Sequence, residues 1–222
     1  MNAHEMKMEN RSNFCILPQM RLALAALLAA TSAAAAVPEK GEGSITLSGG
    51  ARALVPGNSA YLTEQGATHR LVQPGGMVSF GYQYDEELHF KIELGYLTDR
   101  YRIAGGDLQV RSIPILLALD TALVKGRSFT FYGGGGIGYS LNTGSRAGVD
   151  NEANSTAGYV ALGLRLQIAG ALAAVIEERY TLASAQVDPQ SKERLNVGGN
   201  LLSIGLMFHF LEPDDKGKPT AP

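Results

Sequence analysis

Ser203-Ile204-Gly205-Leu206-Met207-Phe208-His209-Phe210 is the stretch that decides the fold. Leu202, Ile204, Leu206, Phe208 and Phe210 occupy every second position, with Ser203, Gly205, Met207 and His209 between them. Successive side chains along a strand point to opposite faces. The segment therefore reads as a β-strand with one greasy face and one small or polar face. It closes on two aromatics spaced two apart and gives way to a polar tail. Such a strand suits the wall of a barrel whose outer side touches lipid.

The same alternation recurs upstream. Leu88, Phe90, Ile92, Leu94 and Tyr96 oppose His89, Lys91, Glu93 and Gly95. Val160, Leu162, Leu164, Leu166 and Ile168 oppose Ala161, Gly163, Arg165 and Gln167. Eight strands are expected, at about 43–54, 75–84, 88–98, 107–121, 128–142, 157–168, 171–184 and 198–210. Most exceed the roughly 5–6 residues of a soluble strand and reach the roughly 9–11 that a tilted membrane strand needs. Short connections at 85–87, 122–127 and 169–170 alternate with longer polar ones at 55–74, 99–106, 143–156 and 185–197. Short turns at one end and long loops at the other form the layout of an outer-membrane barrel. A soluble sandwich or lipocalin-like barrel would show the same alternation with its apolar face inward. Strand length, loop asymmetry and mid-strand charges favour the membrane arrangement.

The first 36 residues are set apart. Arg21 precedes the apolar run 22–30 and the small residues Thr31-Ser32-Ala33-Ala34-Ala35-Ala36, the signature of a secretory signal peptide. The apolar run is too short for the roughly 20 residues of a membrane helix. Met1 and Met20 are both candidate starts. The expected organisation is an N-terminal extension and signal peptide at 1–36, a short periplasmic lead at 37–42, the barrel at 43–210 and a disordered periplasmic tail at 211–222.

Composition narrows the function classes. Lys and Arg number 19 against 21 Asp and Glu, a balance that argues against nucleic acid as a partner. The single cysteine, Cys15, lies before the expected cut, so the exported part has no disulfide, thiol nucleophile or cysteine metal site. His69, His89 and His209 lack metal-ligand spacing, and no cofactor is expected. Gly133-Gly134-Gly135-Gly136 lacks the Gly-Lys-Ser/Thr of a phosphate loop. It reads instead as a strand kept bare for a sharp bend or a bulky lumen neighbour. Pro114 inside the fourth strand marks a local irregularity.

The candidate site is the polar face. It gathers Arg52, Lys91, Glu93, Arg165, Glu177 and Arg179, with His89 and His209 beside them. Eight strands enclose a lumen about filled by side chains, so these charges must pair. The expected result is an ion-pair plug, with a proton or ion path as the alternative. Glu178 resists the scheme, because it shares parity with the lipid-facing Ile176, Tyr180 and Leu182. A β-bulge would re-aim it, or it lies near the interface. Tyr82, Tyr84, Tyr96, Tyr101, Tyr132, Tyr139, Tyr159 and Tyr180 read as an aromatic girdle.

Taken together, these features resemble the small eight-stranded outer-membrane β-barrels of the OmpA/OmpX/OmpW type. The resemblance covers about residues 43–210. Ser203, Gly205, Phe208 and Phe210 resemble the C-terminal signal read by the outer-membrane barrel-assembly machinery, although this chain continues for 12 residues beyond Phe210. The resemblance implies export to the outer membrane of a Gram-negative bacterium and an all-β, antiparallel, up-and-down transmembrane barrel. Its implied partners are outer-membrane lipid and lipopolysaccharide. The expected role is structural or surface-interactive and non-enzymatic, with a narrow channel for ions or small hydrophobic molecules as the alternative. A lipid A hydrolase would need a serine beside a histidine base, and neither His89 nor His209 is expected to have such a serine neighbour.

Overall fold

The computed structural model describes residues 40–53, 68–69, 72–103 and 106–210. The expected signal peptide, most of the expected first loop and the expected C-terminal tail lie outside the described residues. All regular structure among the described residues is β. The long strands are β1 (Gly43–Ala53), β3 (Val72–Gln83), β4 (Leu88–Ile103), β5 (Gly106–Lys125), β6 (Phe129–Arg146), β7 (Val149–Ala169), β8 (Leu172–Ala185) and β10 (Gly199–Phe210). Two short pieces, β2 (Thr68–His69) and β9 (Leu195–Asn196), pair with β4 and β8.

Each long strand pairs antiparallel with its sequence neighbours, and β10 pairs with both β8 and β1, so the sheet closes on itself. Closure leaves no unpaired backbone edge to meet hydrocarbon. The register measures the tilt. Following paired residues around the ring leads from Gly163 to Glu177, Ser203, Gly50, Gly75, Leu97, Ser112, Asn142 and back to the same strand at Ala153, ten positions away. Eight strands with that stagger lean by roughly 40° from the barrel axis.

The alternation places side chains as expected. Leu47, Phe80, Ile92, Leu117, Ile137, Leu162, Ile204 and Phe208 are exposed on the outside, while Lys91, Glu93, Arg165, Glu177 and Arg179 are buried inside. In water such an exterior would be an aggregation surface; against lipid it is the contact surface.

Several expectations are corrected. The stretches 99–106 and 143–156 are mainly strand rather than loop, because β4 runs on to Ile103 and β6 to Arg146. Beyond the apolar belt the ladder of β4 and β5 persists with its polarity reversed: Tyr101, Ile103, Leu108 and Val110 turn inward and Arg100, Arg102 and Arg111 turn outward. A two-residue turn, Ala147-Gly148, closes the β6–β7 hairpin with both φ angles positive, the backbone of a type I′ turn. The other end also differs: β5 continues to Lys125, with an irregularity between Ala122 and Val124. Tyr101, Tyr132 and Tyr159 are buried in the interior and not part of a girdle, whereas Tyr82, Tyr84, Tyr96, Tyr139 and Tyr180 are exposed. Glu178 faces outward, with no bulge beside it.

The interior has two storeys. The half nearest the short turns holds charged groups. The half nearest the loops is an apolar core that includes Tyr101, Leu108, Val110, Val187, Leu195 and Val197. The segment between β8 and β10 folds inward to supply Val187, Leu195 and Val197, and Arg146 Nη1 bonds to Asp188 Oδ2 at 2.9 Å within it. An entirely polar interior is thus corrected: where the hairpins leave the membrane, they pack like a soluble protein.

Candidate functional site: the lumen charge network

The charge network is assembled from facing walls. Lys91 and Glu93 on β4 and Asp120 on β5 meet Arg165 on β7 and Glu177 and Arg179 on β8. Lys91 Nζ lies 3.0 Å from Glu93 Oε1, 3.1 Å from Asp120 Oδ2 and 3.7 Å from Glu177 Oε2. Arg179 donates from both terminal nitrogens to the two oxygens of Glu93, at 2.8 and 2.9 Å. It also donates to Glu177 Oε1, at 3.0 Å from Nε and 2.7 Å from Nη2. Arg165 Nη2 donates to Asp120 Oδ2 at 2.5 Å. Three cations face three carboxylates, so the buried charge is balanced, as burial demands.

Two tyrosines knit the cluster. Tyr132 donates its hydroxyl hydrogen to Glu177 Oε2 at 2.9 Å, and the Arg165 guanidinium lies 4.3 Å from its ring centre. The Arg179 guanidinium lies 3.8 Å from the ring centre of Tyr159. Glycines make room for these groups. A side chain at Gly134 would strike Asp120, one at Gly136 would strike Tyr159, and one at Gly163 would strike Tyr132. The four-glycine run therefore clears space for bulky lumen neighbours, one of the two readings its sequence allowed. Pro114 sits over Gly95, where the β4–β5 ladder skips two pairs without losing register.

Arg52 does not join this cluster. It pairs with Asp99 and donates to the Val197 carbonyl at 3.2 Å, nearer the loops. Asp99 and Asp120 were not singled out from the sequence. Asp99 fell in an expected loop. Asp120 shares the inward face of β5 with Leu116 and Ala118, so polarity gave its strand no contrast between faces.

The structure also brings a serine to a histidine. Ser44 Oγ lies 3.0 Å from His89 Nε2, and Asp120 Oδ2 lies 3.7 Å from His89 Nδ1. The two meet over Gly81, where a side chain would collide with both. This corrects the expectation that neither His89 nor His209 would have a serine neighbour. The geometry nevertheless opposes a hydrolytic triad. Arg165 Nη2 is 3.1 Å from His89 Nδ1. A guanidinium can only donate, so Nδ1 accepts and Nε2 carries the hydrogen. A histidine in that tautomer donates to Ser44 and cannot take its proton. Ser44 and His89 are both 2% exposed, on the lumen side and away from lipid.

Ser203 and Gly205 face the lumen side of β10, while Phe208 and Phe210 are exposed outside near the short-turn end.

A closed ring of eight steeply tilted strands, apolar outside and ion-paired inside, defines a transmembrane β-barrel. Residues 22–210 match the family model described as outer membrane protein beta-barrel domain, and the chain belongs to that family. It is accordingly a protein of the Gram-negative outer membrane. The fold is similar to that of Neisserial surface protein A, with a TM-score of 0.54 and 19% identity over 77% of this chain and 98% of that one. It is also similar to that of the outer membrane protein OprG from Pseudomonas aeruginosa, with a TM-score of 0.51 and 16% identity over 78% of this chain and 99% of that one. No curated protein matches the chain.

Proposed function

We propose that this barrel is a non-enzymatic structural element of the outer membrane, with a plugged lumen and a surface for interaction at its loop end. One observation carries the reading. The six charges of the lower storey span the lumen and leave a cavity of about 20 Å³. A cavity needs roughly 10–15 Å³ to hold a single water, so this one has room for about one. The apolar upper storey stands above it. Together they oppose continuous passage of ions or small hydrophobic molecules. The network's role in this reading is to brace the barrel. The last strand, with Phe208 and Phe210 outside and Ser203 and Gly205 inside, is the segment through which the assembly machinery engages the chain. Outer-membrane lipid and lipopolysaccharide are the surrounding partners.

Planar-bilayer recording tests the plug. The folded protein is expected to insert without unit conductance steps. Reproducible steps from the unaltered chain would establish a channel and overturn the structural reading.

A further inference from the structure

The outward face of the barrel changes character at the loop end of β4 and β5. Below, Tyr96 and Ile113 belong to the apolar belt. Two residues beyond Ile113 on the same face stands Arg111, and four and six beyond Tyr96 stand Arg100 and Arg102, all exposed. At about 3.3 Å per residue along a tilted strand, Arg100 and Arg111 sit just above the rim of the belt, where lipid headgroups begin.

Their pairing is uneven. Arg102 lies opposite Asp107 in the register, with Nε 3.9 Å from its carboxylate. Arg111 lies opposite Thr98, and Arg100 opposite Gln109, so the two arginines are diagonal neighbours on one face. Diagonal neighbours are about 7–8 Å apart, close enough for one anion to bridge two guanidinium groups. Among the described residues, neither has an acidic side chain opposite it in the β4–β5 register. Like charges placed this way repel unless an anion lies between them. Between them runs a groove of about 380 Å³ whose lining includes Tyr96, Thr98, Arg100, Gln109 and Arg111, together with Asp99, whose side chain is buried on the lumen side in its pair with Arg52. Its lower wall is aromatic and its upper wall is basic.

We propose that this groove binds the phosphorylated headgroup of an outer-leaflet glycolipid. Arg100 and Arg111 clamp a phosphate between their planar donor forks, and the acyl chains descend past Tyr96 onto the belt. The proposal rests on the reading that the loop end faces the outside of the cell, and it assigns a site to the lipid partner named above. A lipid is favoured over free phosphate because the groove opens onto the apolar belt.

The test uses the full barrel folded in detergent micelles, with diphosphorylated lipid A and its dephosphorylated form as probes and native mass spectrometry as readout. The unaltered protein is expected to retain the phosphorylated form at least about tenfold better. The double variant R100Q/R111Q is expected to lose that preference. R127Q removes a charge from the short turn at the opposite end and is expected to keep it. Gel migration before and after boiling confirms that each variant is folded; should the double variant fail to fold, R100Q and R111Q are scored singly. Equal retention by the arginine variants, equal loss in R127Q, or displacement of the lipid by excess inorganic phosphate would each overturn the proposal. These outcomes leave the plugged barrel untouched, because conductance reports on that separately.

Discussion

Glu93 and Arg179 stand on opposite walls of the barrel and are joined by two parallel hydrogen bonds of 2.8 and 2.9 Å. Their strands, β4 and β8, are four places apart in a ring of eight. The pair is therefore a strut across the full diameter, and Lys91 and Glu177 brace its two ends. Removing one carboxylate leaves three buried cations facing two carboxylates, an excess charge with no water to solvate it. Glu93→Ala and Glu177→Ala should each destabilise the barrel by roughly 3–5 kcal/mol. Urea unfolding in lipid vesicles measures this, and variants that unfold with the parent would show that the network does not brace the wall.

Tyr132 reaches Glu177 over the bare backbone of Gly163, since the three are consecutive partners in the register. A methyl group at Gly163 would sit 2.2 Å from Tyr132 Cζ. Gly163→Ala should therefore push the ring aside, at about 1–3 kcal/mol. In a Tyr132→Ala background the same change should cost much less, because the collision is gone. Additive losses in the double variant would place the strain elsewhere.

Glu178 faces the apolar belt between its register partners Leu162 and Leu202, and accepts a hydrogen bond from Asn200 Nδ2 at 2.9 Å. A carboxylate there is unfavourable against hydrocarbon. Glu178→Leu should stabilise the barrel in bilayers by up to about 2 kcal/mol, less than the gain from removing a lysine or arginine at the midplane. A loss of stability would mean that Glu178 serves a contact that lipid does not provide.

The turn between β3 and β4 carries a pH dependence. The backbone N–H groups of Glu87 and Leu88 donate to Asp85 Oδ1 at 2.8 and 2.7 Å. These bonds hold the carboxyl below its ordinary value of 3.8. A carboxyl more acidic in the folded than the unfolded state contributes stability above the unfolded value, and that stability disappears as pH falls through the folded one. Acidification below about pH 4 should thus loosen the turn. Asp85→Asn should flatten this part of the stability profile; an unchanged acid limb would contradict the assignment.

How much was legible follows from what strands encode. Parity along one strand is local, so the lipid face of β4 and the lumen positions of Lys91, Glu93, Arg165, Glu177 and Arg179 could be read directly. Partners across the lumen are not local. Ser44 meets His89 only because Gly81, on the strand between them, has no side chain. Asp120 was hidden on a face it shares with leucine and alanine. Tyr132 and Tyr159 looked like interface residues because tyrosine suits a membrane rim and a polar lumen equally well. The loop-end hairpins were hidden for a third reason: at the loop ends of β4 and β5 the apolar side chains turn inward and the arginines outward, so the polarity of the lipid belt does not carry through.

Site-directed spin labelling tests the central claim most directly. With Cys15 removed, single cysteines can be labelled at Ile204, Leu117 and Leu94 on the outer face and at Thr46, Ser79 and Ser203 on the inner face. In bilayers the outer labels should collide readily with dissolved oxygen and poorly with a water-soluble nickel complex, while the inner labels should be shielded from both. Outer labels that meet the nickel complex freely, with inner labels that meet oxygen, would show the barrel to be greasy within and wet without, and the account would fail.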